Sequence, residues 1–399
     1  MKRHLLPILL LMGLSCERGE LLVTGASLDS GAGLFSAEAP THVIQLSPSA
    51  FAGLQPRSEA QPDRSAQVRL AALTILARLG IRPVQGIQEV YTGVFTGFAC
   101  GVSDEEAALL QRQPEVFSVE ENRPFSLAQT LTLKGKAFTP SEQITPWGMS
   151  YIKGPAMKSS RTAWVLDTGI DQDHPDLNVD ATRSRTFLPW YYNENDPDDL
   201  NGHGTHVAGV IGALDNGIGT VGVAAGTKVV SIKVLSRSGV GLLSTILKGM
   251  DYVLASASPG DVMNLSFSGR ASDILDLSVK ALADKGVRVV VAAGNSAKDI
   301  AGISPARVEG VNIFTVSAID MRESFAVFSN FGKGIDYAEP GVEIPSTYRA
   351  GAYAYISGTS VAAPHLAGLL LLDDEIRLAP IGFAHGDPDG DPDPILGKQ

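Results

Sequence analysis

A serine hydroxyl is a poor nucleophile at neutral pH. It attacks only when a base stands within hydrogen-bond reach and a third group fixes that base's tautomer. The three residue types occur here in separate short segments, Asp167-Thr168-Gly169, Gly202-His203-Gly204-Thr205-His206 and Gly358-Thr359-Ser360. A carboxylate, an imidazole and a hydroxyl in that chain order point to serine-nucleophile chemistry. Asp167 closes the apolar run Ala163-Trp164-Val165-Leu166, which reads as a buried strand opening onto a glycine turn. His203 begins a helix-like stretch that continues over 205–214. Ser360 precedes Val361-Ala362-Ala363-Pro364, with the proline expected inside the first helical turn, so the hydroxyl would sit at the positive end of a helix dipole.

Those side chains need a scaffold that brings distant segments together. From Trp164 onward, apolar runs alternate with helix-like stretches over 229–234, 242–254, 261–265, 274–284, 287–293 and 313–317. Such alternation marks a parallel sheet covered by helices on both faces, with functional loops beyond the carboxyl ends of the strands. Asp167, Ser266 and Asn295 each close one of these runs. Upstream, residues 41–122 read as strand, helix, strand, strand, helix, strand over 42–46, 64–79, 88–91, 97–102, 104–112 and 116–120, a small ferredoxin-like α+β unit. Residues 123–143 show little periodicity and read as a linker.

At these residues the chain resembles the subtilisin-like serine peptidases, and within them the proteinase K-like branch. Val165-Leu166-Asp167-Thr168-Gly169-Ile170-Asp171 with His174-Pro175-Asp176-Leu177 is similar to the family's aspartate block. Residues 201–209 resemble its histidine block, and Ser357-Gly358-Thr359-Ser360-Val361-Ala362-Ala363-Pro364-His365 its serine block, with Val361 where methionine is more usual. Val291-Ala292-Ala293-Gly294-Asn295 resembles the segment that supplies the side-chain donor of the oxyanion hole, which implies that role for Asn295. The resemblance covers 41–372 and implies an α/β three-layer domain with a mostly parallel central sheet, preceded by an inhibitory prosegment.

It also implies a peptide groove. Ser266-Phe267-Ser268 matches the substrate-binding strand, where serine, leucine and glycine are more usual, so a side chain at Ser268 would narrow the primary pocket. Gly239-Val240-Gly241 would form the other edge, along which a peptide pairs as an added strand, and Ala292, Ala293 and Gly294 would line the opposite wall. Thr96-Gly97-Phe98-Ala99 and Pro114-Glu115-Val116-Phe117-Ser118-Val119-Glu120 resemble prosegment pieces. Pro146-Trp147-Gly148 resembles the start of mature proteinase K-like enzymes, which favours processing toward the later part of the linker. Asp336 lies where relatives place a structural calcium carboxylate, with carbonyls near Val311 and Ile313 implied as further ligands. After Leu372 the chain departs from relatives, which continue with another packing helix.

The resulting division is 1–16 signal peptide, 41–122 prosegment, 123–143 linker with the processing site, and 144–399 peptidase domain with an acidic tail. Of the 399 residues 44% are hydrophobic and 19% charged, enough to bury a large core. A net charge of −11 without a basic run argues against nucleic acid. Lys2 and Arg3 precede an apolar run over 5–14 that suits a signal peptide, so a secreted or cell-envelope location is expected. Membrane contact is expected only through a lipid on Cys16, a plain secretory leader being the alternative. The only other cysteine, Cys100, falls in the prosegment, so no disulfide braces the peptidase part. In the tail, Asp387, Asp389, Asp391 and Asp393 alternate and are read as a second calcium candidate or a solvated acidic end.

Ser360 alone would be a helix cap, but the company of Asp167, His203 and Asn295 reverses that. His203 and His206 have a spacing zinc ligands use, yet no suitable third ligand follows; His206, His174 and His365 read as structural. Gly217-Ile218-Gly219-Thr220-Val221-Gly222 fits a dinucleotide pattern in the wrong context, and Asn264-Leu265-Ser266 a glycosylation pattern inside an apolar strand. The expectation is therefore a monomeric, exported serine endopeptidase acting on protein or peptide substrates, inhibited by its own prosegment and needing no catalytic cofactor. The rivals are a non-catalytic binding protein on the same fold and an esterase.

Overall fold

The computed structural model describes residues 39–52, 63–127, 137–154, 157–374 and 376–399. The leader, Cys16 and the central part of the linker lie outside them.

The first unit contains β1 (His42–Leu46), α1 (Arg64–Leu79), β2 (Val84–Tyr91), β3 (Gly97–Gly101), α2 (Asp104–Gln111) and β4 (Val116–Glu121). Its antiparallel sheet has the order β2-β3-β1-β4. Local sequence sets the helix ends: Asp63 accepts from Ser65 N, and Ser103 with Glu106 forms a reciprocal capping box. Gly80 closes α1 at φ +69°, a conformation that favours glycine. Ile44, Val68, Ile75, Phe98, Cys100 and Leu110 are buried in one core.

The linker does not begin as an irregular segment. Pro124–Leu127 forms a strand, β5, a correction to the reading of 123–143. There follow α3 (Trp147–Tyr151), β6 (Thr162–Asp167), β7 (Arg185–Thr186), α4 (His203–Gly212), β8 (Lys228–Lys233), β9 (Val240–Leu242) and α5 (Leu243–Ser256). Next come β10 (Val262–Leu265), β11 (Phe267–Arg270), α6 (Asp273–Asp284), β12 (Arg288–Ala292), β13 (Ile303–Ser304) and β14 (Ile313–Ile319). The chain ends with β15 (Tyr337–Pro340), β16 (Ile344–Tyr348), β17 (Ala352–Ile356), α7 (Thr359–Leu371), β18 (Leu378–Phe383) and β19 (Pro394–Lys398).

Seven strands form one sheet in the order β15-β14-β12-β10-β6-β8-β7, every pairing parallel. Strand alternation divides its side chains between two faces. Trp164 and Leu166 of β6 join the core with α5 and α6, whereas Ala163 and Val165 join the core with α4 and α7. Buried on both faces, the strands read as continuous apolar runs, and α4 and α7 lie buried along their whole lengths.

Two features depart from expectation. The helix α7 begins at Thr359, so Pro364 falls in its second turn rather than its first. The tail is an antiparallel hairpin of β18 and β19, not an extended solvated segment. Its Asp393 is buried and accepts from Ser317 Oγ at 2.6 Å, which removes it from the alternating set of outward carboxylates.

Candidate active site

Asp167 ends β6, His203 starts α4, Ser360 lies in the first turn of α7 and Asn295 follows β12. The sheet and its two inner helices thereby bring together four residues scattered over the sequence. His203 Nδ1 donates to Asp167 Oδ1 at 2.8 Å, with both side chains buried. With Nδ1 carrying the proton, Nε2 is left as the basic nitrogen. His203 Nε2 and Ser360 Oγ are buried without a hydrogen-bond partner among the described residues.

Close backbone approach makes the Asp–His contact possible. A Cβ on Gly204 would fall 2.1 Å from the Gly169 carbonyl oxygen and 3.1 Å from Asp167 Cβ. Around this contact runs a network that sequence reasoning missed. Asp199 Oδ1 accepts from Thr168 Oγ1, Asn201 N and Gly202 N, while its Oδ2 accepts from Thr205 N and Thr205 Oγ1. Thr168 Oγ1 in turn accepts from Gly204 N at 3.0 Å. Asp199 thus satisfies first-turn donors of α4 and couples them to the residue after Asp167.

The Asn295 amide is oriented by the helix that carries Ser360. Its Oδ1 accepts from Thr359 N and Thr359 Oγ1, each at 2.8 Å, and Thr359 Oγ1 accepts from Gly294 N. A Cβ on Gly358 would meet Asn295 Nδ2 at 2.9 Å and Ser360 Oγ at 3.0 Å, so the amide N–H group and the hydroxyl flank the same glycine. The amide N–H group and the hydroxyl therefore face one small space, of a size that could take a carbonyl carbon and its oxygen.

The strand β5 lies between two predicted edges. Ser126 pairs with Ser268 and Leu127 with Phe267 on one side; Pro124, Phe125 and Ser126 pair with Leu242, Gly241 and Val240 on the other. Leu127 N donates to the Gly239 carbonyl at 2.9 Å. Phe125 is buried edge-on to Phe267, their ring centroids 6.4 Å apart, and only glycine fits beside it at 269, where a Cβ would fall 2.4 Å from its ring. Gly294 has φ +104°, and the Oγ of Ser268 lies 3.7 Å from where its Cβ would stand. Ala293 is buried, and its carbonyl accepts from Asn330 Nδ2.

The first unit is docked beside this groove by two carboxylates. Asp251 of α5 accepts from Thr92, Gly93 and Val94 N, and Glu120 of β4 accepts from Ser272 Oγ and Ile274 N at the start of α6. Tyr91, Phe95 and Phe125 share one buried cluster with α5 and α6.

Other predicted positions lie apart. Asp336 precedes the edge strand β15, and its Oδ2 accepts from Thr315 N. Burial above all, and Glu309 nearby, push its carboxyl up to about 6 against the Thr315 bond. His206 Nε2 faces the carbonyls of Ile344 and Ala354, and burial first, then His203, push it down to about 3. His365 Nδ1 donates to the Val361 carbonyl, and burial pushes it down to about 4. Among the described residues, no three His, Cys, Asp or Glu side chains gather as a metal site, and no helix is long and apolar enough to cross a membrane.

Comparison with known proteins agrees with this geometry. Residues 164–373 match a family model described as Subtilase family, and residues 41–128 one described as Peptidase inhibitor I9. The chain is similar to alkaline serine protease ver112 of Corniculantispora psalliotae, 35% identical over 302 residues, 72% of this chain and 73% of that one. It is 41% identical to subtilisin Savinase of Lederbergia lenta over 237 residues, 58% of this chain and 84% of the relative. Among solved structures it resembles a cold-adapted subtilisin-like serine proteinase, at 36% identity and a TM-score of 0.50, over 57% of this chain and 85% of the other.

Proposed function

The chain belongs to the subtilase family and is a subtilisin-like serine endopeptidase with an inhibitor prosegment; on that premise we propose that Asp167, His203 and Ser360 are its catalytic triad. The observation that carries this is the 2.8 Å bond from His203 Nδ1 to Asp167 Oδ1, which fixes the imidazole with Nε2 as base. Ser360 Oγ attacks the peptide carbonyl carbon and its proton passes to His203 Nε2, the resulting imidazolium being stabilised by Asp167. Asn295 Nδ2 and a backbone N–H near Ser360 hold the oxyanion. His203 then gives its proton to the departing amine, and water, activated by the same base, hydrolyses the acyl-enzyme. A fluorophosphonate probe tests the assignment. It should label Ser360 in the processed wild type and leave His203→Ala unlabelled; equal labelling of both would overturn the triad.

Peptides bind as β5 does, between Gly239, Val240 and Gly241 on one side and Ser266, Phe267 and Ser268 on the other, with Ala293 and Gly294 walling the primary pocket. Ser268 narrows that pocket. Because Leu127 pairs with Phe267, one residue from Ser266 and hence from the Ser360 carbonyl that Ser266 Oγ holds, we place the processing bond between Ala128 and Gln129. That is the start of the linker, earlier than Pro146-Trp147-Gly148 suggested. Until released, the prosegment inhibits as a bound product does, and the enzyme acts as an exported monomer.

Calcium fits the structure only in part. One oxygen of Asp336 is taken by Thr315 N, so an ion there would rely on the other oxygen and on backbone carbonyls. Its role would be stability, with no step of catalysis depending on it, and melting of Ser360→Ala with calcium and with chelator reads it directly.

A further inference from the structure

We propose that Lys233 is a positioning residue for the Asp167–His203 pair, its ammonium joining the loop that follows Asp167 to the loop that precedes His203. Lys233 ends β8 directly opposite Asp167 on the neighbouring strand and is fully buried. A lysine ammonium has three N–H donors and no acceptor. All three are used here: Nζ donates to the Thr168 carbonyl at 2.7 Å, to the Asp198 carbonyl at 2.8 Å and to Glu194 Oε2 at 2.9 Å.

Each partner belongs to a different part of the machinery. Thr168 follows Asp167, and its hydroxyl bonds both Asp199 and Gly204 N. Asp198 precedes Asp199, the carboxylate that receives first-turn donors of α4. Glu194 supplies the counter-charge and is itself fixed by Arg237 N and Arg237 Nε. An ammonium buried without such partners would be strongly unfavourable, and core packing alone would be met by an apolar side chain. The lysine therefore works as a three-way tie at a point where an apolar residue of similar length could make none of the three bonds. It touches neither substrate nor reacting atoms, so its removal should impair the chemical step and spare peptide binding.

The test, which rests on the proposed triad only for its active-site titrant, compares kcat and KM per titrated active site. Lys233→Met is made with Glu194→Gln, so that no unpaired charge is left buried. We expect kcat to fall about tenfold or more, as misplacement of a catalytic pair by a fraction of an ångström allows, with KM within about twofold. Lys233→Gln with Glu194→Gln keeps two N–H donors and should lose only about threefold. Asp261→Asn, at the opposite end of the sheet, is the control for destabilisation alone: a lower Tm with kcat unchanged. If the methionine variant fails to fold, the glutamine variant decides. Unchanged kcat in a folded Lys233 variant, or a rise confined to KM, overturns the proposal. A failed titration of the wild type would instead count against the triad.

Discussion

Pro364 stands four residues after Ser360 on α7 and has no N–H to give the Ser360 carbonyl, which accepts instead from Ser266 Oγ at 2.9 Å. The helix that carries Ser360 is thereby tied to Ser266, which adjoins the β11 edge that pairs with β5. Ser266→Ala leaves that carbonyl unpaired in a buried site, at a cost of about 1–3 kcal/mol. We expect a lower Tm and a kcat reduced several-fold with KM within about twofold, because β5 pairs with this edge through backbone atoms. A higher KM with unchanged kcat would make the Ser266 hydroxyl, and not only its backbone, a substrate contact.

Asn295→Ala should lower kcat by about 100-fold or more and leave KM nearly unchanged, a magnitude known from subtilisin itself rather than derived from this geometry. Thr359→Val, which removes the hydroxyl held by Asn295 Oδ1 and Gly294 N, should show the same pattern more weakly. Steady-state kinetics on a chromogenic peptide separates the terms. A KM effect in either variant would contradict an oxyanion role.

The buried ring of Phe125 sets a preference two residues before Leu127. In peptides carrying Pro-Phe-Ser-Leu-Ala, replacing Phe by Ala forfeits about 3 kcal/mol of burial and should lower kcat/KM by about 100-fold. Ser268→Gly should widen acceptance of large aromatic residues just before the cut bond and leave the Phe requirement intact. A peptide-library profile unchanged in that variant would reject the narrowing of the primary pocket.

A rise in pH from about 4 to neutrality should weaken the C-terminal hairpin. Burial above all, helped by Asp387, Asp389 and Asp391, pushes Asp393 from the ordinary 3.8 up to about 7 despite the bond from Ser317, and burial pushes Glu339 well above its usual range. A carboxyl raised on folding binds its proton more tightly in the native state, so its stabilisation is full at low pH. It declines as pH rises from about 4 to 7 and stays low above that. In a Ser360→Ala background, Asp393→Asn should raise Tm at pH 9 and by well under half as much at pH 5. Equal shifts at both pH values would contradict a buried, proton-holding Asp393.

Much of the prosegment was legible because its signals are local: α1 runs over Arg64–Leu79 as its periodicity implies, and Ser103 with Glu106 marks the start of α2, whereas β2 begins at Val84, four residues before the expected 88. The parallel sheet was legible for a related reason, since strands such as β12, Arg288–Ala292, are apolar throughout. What escaped depends on partners distant in sequence. The four residues Pro-Phe-Ser-Leu at 124–127 carry no strand period and form β5 only because residues 239–242 and 267–268 flank them. A Pro- and Asp-rich tail hides a hairpin whose turn holds those residues. Lys233, in Lys-Val-Val-Ser-Ile-Lys, looks like a surface residue until Thr168, Asp198 and Glu194 are brought around it. The family resemblance singled out Asp167, His203, Ser360 and Asn295; the bonds that Thr168, Asp199 and Thr359 make around them needed coordinates.

The most direct test of the account is the fate of the full chain with Ser360→Ala beside the wild type. If one nucleophile serves both the prosegment bond and external substrates, the wild type should yield a mature product that begins at Gln129 by N-terminal sequencing and hydrolyses casein. The Ser360→Ala protein should stay full length apart from leader removal, keep the prosegment bound and leave casein intact. Processing at Gln129 in Ser360→Ala protein purified free of other proteases, or casein hydrolysis by it, would contradict the claim that Ser360 does the chemistry.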